Sequence, residues 1–359
     1  MTSRHIRPAA AVAFGSADEA GRRVAGLAAA ARIVRELELA GFAEAWIVIP
    51  RAQPLDQAAM ADVRRLAGGM TVRVAPVPDG QVVEFFRGDR LIAAEAMPAF
   101  RASRPYPFIR LDGASAAAEI LLTTGKPSDG LVSRWLNRPI SRLLSGLLLR
   151  IPGARPIHAT VGTALLAVVM FAVLVLGGPA GVIAGGLLFH AASVFDGVDG
   201  EMARATFRTS RSGAALDSGI DMVTNLLAML GLAINLSLHG QPEAMALAVW
   251  GLSLLLLGLG AIGWRSLRQG GPFTFDLVKD EYRGRFAGPL GSRLMTVATL
   301  GTSRDFCALL YLVLAVAGIP IAGLYLFAVV TPVWIVFVAG ALLPSRKSAP
   351  APEPAQAGP

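Results

Sequence analysis

Two side chains that hold zinc or build disulfides are almost missing here: the 359-residue chain has one cysteine, Cys307, and four histidines. A single thiol excludes a disulfide framework and a cysteine-based zinc site. Charge is also scarce, at 16% of residues, and aromatics make up 7%, against 54% hydrophobic residues and a mean hydropathy of +0.55. Such a deficit excludes an ordinary soluble protein and turns attention to membranes. The charge that remains is basic, with 33 Lys and Arg against 25 Asp and Glu. Its arginines lie beside hydrophobic runs rather than in one basic domain with stacking aromatics, so no nucleic-acid partner is expected and the positive-inside rule accounts for them. The uncharged stretch from Pro8 to Ser16 is too short for the apolar region of a signal peptide, and the N-terminal region is expected in the cytoplasm.

The long uncharged runs fall after Ile157, whereas the first 130 residues carry a normal charge mixture. Within those first residues, apolar strands at Ala9–Phe14, Ala45–Ile49 and Met70–Val77 alternate with helical patterns near 25–40 and 54–67. Such alternation predicts an α/β layer fold with a mainly parallel sheet. A hairpin is expected from 82–86 and 90–94 around Gly88-Asp89, with 101–130 as the exit from the domain.

Over 131–149, Val132, Leu136, Ile140, Leu143, Leu144, Leu147 and Leu148 recur at helical spacing, with Arg134, Arg138 and Arg142 on another face. A basic amphipathic helix of this kind lies in a membrane interface; a surface helix packed on the α/β domain is the alternative. Six apolar spans follow, near 158–177, 180–198, 213–236, 244–263, 304–319 and 321–343. Each approaches the roughly 20 residues needed to cross about 30 Å, the fifth being short. Basic loops at 204–212 and 264–303, the latter with Lys279, Arg283, Arg285 and Arg293, alternate with turns free of Lys and Arg, which predicts both termini and both loops in the cytoplasm. The expected architecture is a six-transmembrane-helix, all-α membrane bundle preceded by a small cytoplasmic α/β domain. Its parts are the α/β domain over 1–128, a juxtamembrane helix over 129–156, the six-span domain over 157–345, and a disordered Pro- and Ala-rich tail over 346–359.

The chemistry concentrates between the second and third spans. Asp196, Asp199, Gly200 and Ala203 share one face of a helix, and Gly213, Asp217 and Asp221 form a matching stripe on the next. Carboxylates gathered near one end of a hydrophobic bundle repel one another unless a cation neutralises them. Oxygen-only ligands favour Mg²⁺ or Mn²⁺, and Ca²⁺ as a further option, over zinc, and two such ions can clamp a diphosphate. The competing account is that these aspartates cap helix ends or pair with Arg204, Arg208 and Arg211.

The segment from Asp196 to Asp221 resembles the signature of the CDP-alcohol phosphotransferase (phosphatidyltransferase) family, DxxDGxxAR, eight residues, then GxxxDxxxD, and every fixed position is present. The resemblance implies an enzyme that transfers a substituted phosphate from a CDP-linked alcohol to an acceptor hydroxyl and releases CMP. It implies two divalent cations held by Asp196, Asp199, Asp217 and Asp221, with Asp221 also the general base. It further implies a cytidine pocket lined by Gly200, Ala203 and Gly213 with Arg204 fixing the nucleotide, and a homodimer in the bacterial inner membrane. Arg208, Arg211, Arg265, Arg268 and Arg304 are candidates for an acceptor phosphate.

The stretch Lys126-Pro127-Ser128-Asp129-Gly130, continuing through Asn137-Arg138-Pro139-Ile140-Ser141, resembles the junction in members whose transferase domain follows a cytidylyltransferase-like domain, among them di-myo-inositol phosphate phosphate synthases. That resemblance implies an inositol phosphate acceptor as one option beside the phospholipid branch, where the donor is CDP-diacylglycerol. The loop after the first strand, Phe14-Gly15-Ser16-Ala17-Asp18-Glu19, is acidic where a nucleotidyltransferase needs a basic, Gly-rich loop, so the N-terminal domain is expected to be degenerate. From a different class, a cation transporter could also place carboxylates within membrane spans, but these sit near one membrane end and not at the midplane.

Overall fold

The computed structural model describes residues 8–126, 129–268 and 304–342. By contact density the chain forms two compact units. The first runs to Thr163 and takes in Ala192–Ala214; the second comprises Ala164–Ala191 and the chain from Ala215.

The first unit opens with β1 (Ala9–Ala13), α1 (Ala17–Gly21), β2 (Arg23–Val24), β3 (Leu27–Ala28), α2 (Ala29–Leu39) and β4 (Glu44–Val48). There follow α3 (Gln57–Leu66), β5 (Thr71–Val74), β6 (Glu84–Arg87), β7 (Arg90–Leu91), α4 (Met97–Arg101), β8 (Ile109–Arg110) and α5 (Ala116–Leu122). Its central sheet has the order β5-β4-β1-β6 with every pair parallel. Because β1 is covered on both faces, Ala10, Ala11 and Val12 are all buried and the strand reads as an apolar run without alternation. Asp56 starts α3 by accepting the Ala59 amide at 2.7 Å.

Two local expectations fail in this unit. The helix expected from residue 25 begins at Ala29, because Ala25 (φ 45°) and Gly26 (φ 84°) make the left-handed turn of a β2–β3 hairpin. Alanine-rich sequence favours helix, but Arg32 draws the Val24 and Ala25 carbonyls into hydrogen bonds of 2.8 Å and the turn prevails. The expected hairpin at Gly88-Asp89 does not form either. β6 joins β1 in parallel and β7 pairs with β8 antiparallel, since the Gly88 amide caps Ala13 at 2.7 Å and turns the chain off the sheet. Residues 101–130 are more than an exit, because Leu111, Ala116, Ile120 and Leu121 enter the same core.

Residues 131–149 form a π-helical turn at Ser133–Asn137 and then α6 (Arg138–Leu148). Their sides are inverted relative to a soluble helix: Asn137, Arg138, Ser141 and Ser145 are buried, while Trp135, Leu136, Ile140, Leu143 and Leu147 are exposed. An outward apolar row suits a lipid interface.

The membrane-type helices are α7 (Pro156–Leu176), α8 (Gly178–Ala205), α9 (Arg211–Leu238), α10 (Glu243–Arg268), α11 (Arg304–Val316) and α12 (Ile321–Leu342). Among the described residues, five of them are long and apolar enough to cross a membrane, the pattern of an integral membrane protein. The fifth expected span corresponds to α11, which has 13 residues. Its described part is about 20 Å long, against roughly 30 Å for a bilayer core. α10 runs on to Arg268, so the expected basic loop begins inside a helix, and Lys279, Arg283, Arg285 and Arg293 lie outside the described residues, as does the tail.

In the second unit helices meet through small residues, as lipid gives no hydrophobic reason to associate and close packing must do so. Gly231 accepts Leu174 and Phe171, Gly251 accepts Phe327, and Gly258 accepts Trp334. The break between α7 and α8 is held by Asn235, which has no exposed surface and donates from Nδ2 to the Leu174 and Gly178 carbonyls, each at 2.7 Å. Replacing Asn235 by Leu frees both carbonyls and is expected to cost about 1–2 kcal/mol. The check is the thermal melt of detergent-solubilised protein, and an unchanged melting temperature would contradict this role.

Candidate metal and nucleotide site

α8 has 28 residues. At 1.5 Å per residue Asp196 and Asp199 lie about 27 and 32 Å from its start, in its C-terminal third. Asp196 is half-buried. Asp199 is 7% exposed and accepts a 2.6 Å hydrogen bond from the Thr160 hydroxyl of α7.

Glu201 stands at one of the unfixed positions of the signature. It has no exposed surface and accepts from the Ser141 and Ser145 hydroxyls at 2.7 Å each and from Arg138 Nη1 at 3.0 Å. Arg138 also grips Asp129 through two bonds of 2.9 and 2.8 Å. Burial alone would push the Asp129 carboxyl up, but the Arg138 guanidinium outweighs it and holds the group below the ordinary carboxylate range. Burial likewise opposes the Arg138 charge, and the two carboxylates raise its pKa against that cost. The signal was present in the sequence, since Arg138, Ser141 and Ser145 fall on one stripe of α6. In the sequence that stripe is masked by the regular spacing of Arg134, Arg138 and Arg142. Gly197 permits the close approach, for a Cβ there would stand 3.0 Å from Arg138 Nη1.

The residues expected around a nucleotide form a second group. Arg204 Nε donates to the Thr124 carbonyl at 2.6 Å, and its guanidinium covers Gly200, where a Cβ would stand 3.0 Å from Nη1. Ala203 is half-buried, and Gly213 donates its amide to Ser210 Oγ at 3.0 Å in the turn entering α9. Arg208 and Arg211 are exposed.

In the second unit Asp217 and Asp221 are half-buried one turn apart on α9, and Asp221 forms an ion pair with Arg304 of α11. Arg265 is half-buried in the last turn of α10, and Arg268 stacks over Trp264 at 4.8 Å. Arg304, one of the five candidate acceptor arginines, is thus paired with a signature carboxylate. The donor set of the four aspartates is entirely oxygen, which fits Mg²⁺ or Mn²⁺.

The α/β sheet has its own topological switch point, between β1 and β6, where ligands of such sheets enter beyond the strand ends. There the Gly15 amide donates to Glu19 Oε2 at 2.8 Å, Ser16 Oγ accepts the Glu19 amide at 3.2 Å, and Phe14 packs on Gly88. An anion supplied by the chain itself takes the loop amide that a phosphate would need.

Residues 155–342 match the sequence profile of the CDP-alcohol phosphatidyltransferase family. The chain is 36% identical over 155 residues to the bifunctional IPC transferase and DIPP synthase of Thermococcus kodakarensis, covering 42% of this chain and 32% of that protein. It is 41% identical over 109 residues to the protein of the same description from Aquifex aeolicus, covering 30% of this chain and 24% of that one. The matches thus span about a third and a quarter of those relatives.

Removing one partner of a buried ion pair strands the other, so Glu201→Ala is expected to destabilise by about 3–5 kcal/mol and Glu201→Gln by less, read as melting temperature in detergent. Since Asp129 titrates below the ordinary carboxylate value, its contribution is complete above about pH 4 and disappears as pH falls through the depressed pKa. The wild type should therefore out-melt Asp129→Asn at neutral pH by a margin that shrinks below about pH 4. A pH-independent gap would refute the pairing as its cause.

Proposed function

The chain belongs to the CDP-alcohol phosphatidyltransferase family, and on that premise we propose that it is an integral membrane phosphotransferase that releases CMP from a CDP-linked alcohol. The observation that carries the reading is the complete signature from Asp196 to Asp221. In the proposed site Asp196, Asp199, Asp217 and Asp221 hold two Mg²⁺ or Mn²⁺ ions. Bound there, the ions would draw charge from the diphosphate and lower the pKa of the acceptor hydroxyl. Asp221 takes the acceptor proton as the hydroxyl oxygen attacks the phosphorus bearing the donor alcohol; the bond from that phosphorus to the bridging oxygen breaks, and CMP leaves. Gly200, Ala203 and Gly213 border the cytidine, and Arg204 fixes the nucleotide.

The Arg304–Asp221 ion pair supports a role for Arg304 beside the acceptor, where a phosphorylated alcohol would meet its guanidinium. Arg208, Arg211, Arg265 and Arg268 complete the proposed basic surroundings. The relatives' description as IPC transferase and DIPP synthase favours an inositol phosphate-type acceptor as a specific second reading beside a phospholipid product. The N-terminal domain is read as having no nucleotidyl transfer of its own, a view supported by Glu19 on the Gly15 amide. The proposed setting is the bacterial inner membrane, with α11 completing a sixth span, both termini and the site cytoplasmic, lipid around the bundle and a homodimeric assembly.

In this scheme Asp221→Asn removes the base while leaving the fold, and CMP release should drop by at least about a thousandfold, within the usual loss for general base and ligand combined. Retained turnover in the variant, or activity in excess chelator, would sink the assignment. A matrix of CDP-alcohol donors against free and phosphorylated polyol acceptors, with the product identified by mass, separates the two acceptor readings.

A further inference from the structure

The last carbonyls of an α-helix have no partner within the helix and need one outside it. At the end of α8 the chain reverses at Phe207 (φ 52°), and the Arg208 amide returns to the Ala203 carbonyl at 2.8 Å. The carbonyls that remain are met by arginines of the α/β domain. Arg32 Nη2 donates to Ala205 at 2.9 Å, Arg65 Nη2 to Thr206 at 3.1 Å and Arg65 Nη1 to Phe207 at 3.3 Å. Arg32 is 2% exposed, and its other two bonds go to the Val24 and Ala25 carbonyls of the hairpin turn. Arg35 stands 5.7 Å over the Phe207 ring. A buried guanidinium held mainly by carbonyls is costly unless a negative potential faces it, and a helix C-terminus supplies one.

We infer that the α/β domain acts as a fixed C-terminal cap of the signature helix, with Arg32 and Arg65 as positioning residues for Asp196 and Asp199. Ala205 follows Asp199 by six residues, about 9 Å along the axis, so fraying or rotation of the last turn reaches the carboxylates directly. The unit's apolar core continues through the same joint, for Val198, Met202 and Ala205 are buried in the cluster that includes Val24, Leu27 and Ile33. Burial and the neighbouring Arg208 lower the Arg65 pKa, consistent with a side chain held at this joint against the preference of its charge. The domain so read contributes geometry to the reaction.

The inference rests on the proposed function for its kinetic arm only. Full-length protein in detergent is compared as wild type, Arg65→Gln, Arg65→Lys and Arg32→Gln, by hydrogen exchange over residues 199–210 and by CMP release. Arg65 is partly exposed and its variants should fold even if Arg32→Gln does not. In Arg65→Gln, exchange over 199–210 is expected to quicken at least tenfold with α10 and α12 unchanged. The maximum rate should fall at least fivefold with less than a twofold change in donor KM. Arg65→Lys, which keeps a cation at the helix end, should recover part of both. Unchanged exchange in folded Arg65→Gln overturns the cap, and faster exchange with an unchanged rate overturns the positioning. If wild type releases no CMP from any CDP-alcohol, the proposed function fails and the exchange arm decides the cap alone.

Discussion

A carboxylate without solvent contact sits in the middle of the signature segment, and much of the first unit is arranged to neutralise it. Glu201 is met by two hydroxyls and a guanidinium from one stripe of α6, and that guanidinium is held in turn by Asp129 just upstream. A buried charge with a complete set of partners permits one geometry and penalises every other, since a shift of either helix would leave a charged group unpaired in a low-dielectric interior. The same tie explains the inverted sides of α6. Its polar residues are consumed by the protein, and its leucines are left for the surroundings.

The two units specify their contacts by different means. In the α/β region the sheet is buried by helices and aromatics, with Phe42, Phe86, Phe100 and Tyr106 in ring contact. In the second unit the outside is apolar too, so glycines that admit Phe327 or Trp334 and an asparagine that ties a helix break take over the task of specifying contacts. α8 belongs to both regimes. Its first half is uncharged, and its second half carries Asp196, Asp199, Glu201 and Arg204 within nine residues. Its length and capped end therefore bear on the chemistry.

What could be read from the residues varied with the range of the forces involved. The parallel α/β arrangement and the long apolar helices follow from periodicity, which is local, and were legible. The hairpin around Gly88-Asp89 was not, because turn residues allow a hairpin without requiring one and β6 found a better partner in β1. The start of α2 was lost for a similar reason: helix propensity at Ala25 amounts to tenths of a kcal/mol and yields to two hydrogen bonds from Arg32. At α11 the described residues form a helix of 13 residues, the shortest of the apolar series, as the short run had indicated.

The sequence by itself determined the membrane class, the family and the spacing of the four signature aspartates, since these depend on composition and on periodicity along one or two helices. Only the tertiary structure decided that the spacer Glu201 is the buried anchor, that Arg204 covers Gly200, that Glu19 takes the loop amide of its own domain, and that Arg32 and Arg65 cap the signature helix. Each of these joins groups far apart in the chain or sets a side chain against one particular neighbour. Such contacts are selected by desolvation, which exists only once the core has closed around them.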